Sequence, residues 1–204
     1  LDSLAQDGAC FVFIEGADTL YYFGKTNIEI PDNKYGVDTD ILKEEILYKE
    51  GDLYSKERKL SSESGMTKIP IVQSARISTG NITGNKVDFD AEIILNNKTE
   101  IGPYGEATVI DNTFYAGGGV QYINKYFLSG GKVLNFSLGA LINSIDINRI
   151  EFSTSVTQPH AFNRNSYLVD KITLGLYNVE DSKNYYLGNL LSYIQTFTDY
   201  TFYN

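Results

Sequence analysis

Val120-Gln121-Tyr122-Ile123-Asn124-Lys125-Tyr126-Phe127-Leu128 and Val133-Leu134-Asn135-Phe136-Ser137-Leu138 stand on either side of Ser129-Gly130-Gly131. Both runs are rich in aromatic and β-branched residues, which suit a pleated, half-buried surface. The intervening residues have turn chemistry, so the stretch reads as a β-hairpin. Period-two spacing puts Leu134, Phe136 and Leu138 on one face of the second strand.

The same pattern spreads outward. Val87, Phe89, Ala91, Ile93 and Leu95 alternate with Asp88, Asp90 and Glu92, the signature of a strand with one face buried and the other in water. Asn96-Asn97 follows as a turn. Further strands are expected over 104–110, 145–153 and 167–178. Towards the N-terminus, residues 9–15 and 19–23 read as a hairpin across Gly16-Ala17-Asp18, and Ile28 and Ile30 form a short third strand ended by Pro31. The C-terminal segment is two-sided: Leu187, Leu190, Leu191 and Ile194 have helical spacing, whereas 196–203 alternates like a strand.

Only one region breaks this pattern. Ile41, Leu42, Glu45, Ile46 and Lys49 recur at three and four residues and predict a helix over 40–50. Gly51-Asp52 interrupts it, residues 54–59 continue as a polar turn or loop, and Ser61-Ser62-Glu63-Ser64-Gly65 reads as a small-polar linker. The expected architecture is therefore a single β-rich domain over 1–204, mainly antiparallel, a β-sandwich or jelly roll with one short helix within a helical and polar insertion at about 38–65. Alternating helices for a doubly wound fold are missing, and so is any repeat of 20–50 residues.

Composition excludes several functions. The 204 residues carry 17 Lys and Arg against 26 Asp and Glu, a net charge of −9, which argues against nucleic-acid binding. Cys10 is the single cysteine, so no internal disulfide forms, and its apolar setting suggests a buried thiol. No apolar run reaches the ~18 residues of a membrane-spanning helix, from which no membrane insertion is expected. The first residue, Leu1, is not Met, which favours an exported or processed protein.

Few residues suggest chemistry. Asp88, Asp90 and Glu92 share one strand face, neighbours about 7 Å apart, a spacing open to glycoside hydrolysis or a cation but equally ordinary for a solvated face. Asp38 and Asp40 invite calcium, yet a helix N-terminus explains them without an ion. His160 is the only histidine, which leaves no metal cluster or catalytic triad. Gly117-Gly118-Gly119 and Gly130-Gly131 match no phosphate-binding loop. Neither a catalytic residue nor a cofactor or metal site is assigned. The tyrosines stand out instead, since Tyr combines large contact area with low entropy cost.

The expected function is accordingly non-enzymatic: a structural subunit of an extracellular or virion assembly, such as a pilus, tail or capsid-associated protein, partnered by copies of itself or by other subunits. Segments 9–15 and 196–203 are the candidate exchange strands, with Phe11, Phe13, Tyr21, Tyr22, Phe197, Tyr200, Phe202 and Tyr203 as interface residues. The alternatives are a carbohydrate-binding or adhesin domain recognising a glycan, and a hydrolase using the Asp88, Asp90 and Glu92 stripe.

Overall fold

The computed structural model describes residues 20–110, 112–143, 146–162, 166–179 and 182–195. They form two sheets. The smaller belongs to an N-terminal module in which β1 (Tyr22–Glu29), α1 (Asp40–Lys43), α2 (Lys56–Thr67), β2 (Val72–Thr83) and β3 (Lys86–Leu95) follow in order. Its central strand is β3, parallel to β1 and antiparallel to β2. The larger sheet is a meander of β4 (Thr99–Ile110), β5 (Thr113–Phe127), β6 (Lys132–Asn143), β7 (Asp146–Pro159), β8 (Ser166–Val179) and β9 (Ser182–Gln195). Each strand pairs antiparallel with the next in sequence.

The hydrophobic core is almost wholly in the module. Phe23, Phe89, Leu42, Met66, Ile71, Ile77 and Ile93 are fully buried, and the Phe23 and Tyr48 rings stack at 3.7 Å. The alternation of β3 works as its sequence suggests: Val87, Phe89, Ala91 and Ile93 enter this core while Asp90 and Glu92 stay in water.

The helical region departs from its sequence pattern. The 40–50 helix shrinks to the single turn of α1, and the expected linker at 61–65 lies within α2. Ser55 caps α2 by accepting from the Arg58 N–H. The small residues Ser62 and Gly65 are buried with Met66, so α2 is held by close approach and not by an apolar stripe. The Ser62 hydroxyl accepts from the Leu47 N–H at 2.9 Å and donates to the Arg58 carbonyl at 2.8 Å, satisfying both ends of a buried polar group.

Antiparallel β structure is as expected, but the sandwich or jelly roll is not. A sandwich needs two sheets whose inner faces bury each other. Here the three-stranded sheet packs on its own helices, and the six-stranded sheet is open, with few buried apolar residues among those described, chiefly Tyr126 and Leu141. The helical spacing at 187–194 is overridden, because those residues complete the β9 ladder with β8. Cys10 and the proposed hairpin strand at 9–15 lie outside the described residues.

Candidate functional site: an exposed apolar sheet face

Strand alternation and register together sort the six-stranded sheet into two unlike faces. One carries Ile101, Pro103, Gly105, Ala107 and Val109 from β4 opposite Tyr122, Val120, Gly118, Ala116 and Phe114 from β5. The register continues this face through Phe136, Leu138 and Ala140 of β6 to Thr154, Phe152 and Ile150 of β7. It ends on Ile172, Leu174 and Leu176 of β8 and Asn189, Leu187 and Tyr185 of β9. These side chains stand open: Ile101 is 79% exposed, Leu187 72%, Val109 64% and Leu138 52%. An apolar face running across six strands, exposed among the described residues, far exceeds the patches a water-soluble surface carries.

Aromatic rings run along this face. Tyr122 and Phe136 are 6.2 Å apart, and Phe136 and Phe152 stack at 6.3 Å. They border a shallow apolar groove of about 170 Å³ over Val120 and Leu138. One polar pair interrupts it, where Asn189 Nδ2 donates to Asp170 Oδ1 at 2.8 Å.

The opposite face is largely polar. Ser137 and Ser153 bond through their hydroxyls at 2.7 Å, and Arg149 pairs with Glu151 while its Nε donates to the Tyr186 hydroxyl at 2.8 Å. Lys125 pairs with Glu100. Two tyrosines approach glycines closely: a Cβ on Gly139 would collide with the Tyr104 hydroxyl, and one on Gly175 with the Tyr186 ring. A cleft of about 420 Å³ opens beside Arg149, Glu151, Lys171 and Tyr186.

The module meets the sheet at its turns. Tyr126, near the end of β5, enters the module's core, and its hydroxyl accepts from the Asp38 N–H at 3.1 Å. His160, just after β7, stands 3.3 Å from the buried Glu45.

The residues singled out by sequence fall elsewhere. Asp88 Oδ1 accepts from the Lys25 N–H at 2.7 Å, at the point where the register between β1 and β3 shifts. Glu92 lies in register with Glu29 on one side and Arg76 on the other. Asp38 accepts from the Asp40 N–H, and Asp40 pairs with Lys43, which raises the Lys43 pKa through their hydrogen bond. Tyr21 packs on the module's core, and Tyr22 opens β1. Phe11, Phe13, Phe197, Tyr200, Phe202 and Tyr203 lie outside the described residues. Sequence reading missed the uncovered face, although its alternation was visible in Leu134, Phe136 and Leu138.

A long antiparallel meander, apolar on one side and polar on the other, is the arrangement of a transmembrane β-barrel wall. Comparison with solved structures agrees. The chain is similar to BamA from Haemophilus ducreyi lacking POTRA domains 1–3, at TM-score 0.59 and 18% identity over 84% of this chain and 32% of that one. It is also similar to CdiB from Acinetobacter baumannii, at TM-score 0.56 and 12% identity over the same shares. The chain thus spans about a third of the length of either. No family model and no curated protein sequence matches.

BamA and CdiB are outer-membrane β-barrel proteins, and this likeness overturns the expected function. The virion, pilus or extracellular location, the partnership with copies of the chain or with other assembly subunits, and the absence of membrane insertion are all corrected by it. The glycan-binding alternative was framed on the same sandwich architecture. The expectation against membrane insertion came from the length of apolar runs, which tests for helices only. Among the described residues no helix is long and apolar enough to cross a membrane, and strands cross by alternation instead.

Proposed function

We propose that this chain is part of an outer-membrane β-barrel protein, in which β4 to β9 form a stretch of the barrel wall and the preceding module stays in water against the turns at one end. The observation that carries this reading is the register-wide segregation of the sheet into an apolar face that no described residue covers and a polar face. In lipid the apolar side chains need no protein layer, and the ladders between neighbouring strands satisfy the backbone groups along most of their length. The polar face then lines the barrel interior, and the role is passage or assembly at a membrane with no chemistry of its own.

The chain contains no tryptophan, so single-tryptophan variants are clean depth probes. In vesicles with brominated acyl chains, Leu138→Trp and Leu174→Trp are expected to be strongly quenched, while Ser137→Trp and Thr173→Trp, one residue away on the other face, are not. Equal quenching at all four positions, or none, would refute the wall assignment.

A further inference from the structure

We propose that Lys59 and Glu63 of α2 hold the outer edge of β2 shut against strand addition, and that the edge, once opened, takes the β2 of a second copy of this chain. β2 pairs with β3 on one side and ends the three-stranded sheet on the other. An edge strand offers a row of backbone donors and acceptors to any strand that arrives. Near its midpoint that row is already taken. The Ile77 N–H donates to Glu63 Oε1 at 2.6 Å, and the Ile77 carbonyl accepts from Lys59 Nζ at 2.5 Å.

The two side chains stand one helical turn apart, 3.7 Å between Nζ and Oε1, and each is less than a fifth exposed. Glu63 supplies an acceptor and Lys59 a donor, the couple that one residue of an adjoining antiparallel strand would supply. The ion pair thus satisfies the edge without extending it, and it brings α2 to the side of β2 away from β3. The strand beneath is fit to pair with its own kind. Two β2 strands laid antiparallel about Ile77 set Ala75 against Thr79 and Arg76 against Ser78. Arg76 is the one charged residue of 73–79, so no like charges meet across such a pair.

The test uses the full chain in detergent micelles with Cys10→Ser, one preparation carrying Arg76→Cys and another Ser78→Cys, mixed and oxidised. In the added strand these two positions form a non-hydrogen-bonded pair with Cα atoms about 4.5 Å apart, within disulfide reach. Lys59→Met with Glu63→Met should raise the yield of mixed disulfide about tenfold over the chain with α2 unsubstituted. Glu63→Gln, which keeps an acceptor for the Ile77 N–H, should not raise it. Thr79→Pro in the opened chain removes an outward N–H that β3 does not use, and should abolish the gain. A yield no higher in the opened chain, or a gain that Thr79→Pro leaves in place, as unfolding would give, would overturn the proposal.

Discussion

Tyr104 on β4 reaches across β5 and lays its hydroxyl over Gly139 on β6, in the place a Cβ would take. On the polar face this brings the β4 side chain against the β6 backbone. Gly139→Ala forces the ring off, an overpacking cost of about 1–3 kcal/mol. Thermal unfolding of the micelle-bound chain should show this loss in the single variant. A double variant with Tyr104→Ala should lose less than the two singles added together, because the clash is then gone.

The two faces predict opposite responses to charge. Leu138→Arg places a guanidinium on the apolar face, at a cost of about 2–4 kcal/mol if the residue sits near the bilayer midplane. Ser137→Arg, its neighbour in sequence, points to the polar side and should cost little. Folding yields into vesicles, compared as the urea concentration is raised, will separate the two.

Tyr126→Phe removes the acceptor of the Asp38 N–H while leaving the ring in the core. The expected loss is about 1 kcal/mol, close to the net value of one hydrogen bond. Amide exchange at Asp38 should quicken about fivefold, with exchange in β3 unchanged.

Alkaline pH should loosen the module before the sheet. Burial raises the pKa of Tyr48, with its hydrogen bond from Thr26 acting the other way, and burial also raises that of Tyr54. Because the folded values lie above the unfolded one near 10, this contribution is complete below about pH 10 and is lost as pH rises towards the folded values. Unfolding followed by near-ultraviolet circular dichroism should show the decline above pH 10, and Tyr48→Phe should reduce its steepness.

Much of the fold was legible in particular residues. Val133 to Leu138 and Val87 to Leu95 alternate, and both are strands. Ser129-Gly130-Gly131 turns the chain between β5 and β6, with all three residues at positive φ. Local spacing failed where a long-range partner decided the outcome. Leu187, Leu190 and Leu191 have helical spacing but pair with Leu174, Lys171 and Asp170. The serines of α2 look like a linker until Ser62 is seen buried with both its hydrogen bonds made.

By itself the sequence determined that the chain is mostly antiparallel strand and that its strands have an apolar and a polar side. Those properties follow from the two-residue repeat of the pleat and from turn chemistry, which are local. What covers the apolar side is not local, since a sandwich and a membrane wall call for the same alternation. Only the tertiary structure decided it, by packing the module's sheet on its own helices and leaving the six-stranded face exposed among the described residues. The partner of Asp88 was likewise out of reach of local reading: its carboxylate accepts from the Lys25 amide, which only folding brings near.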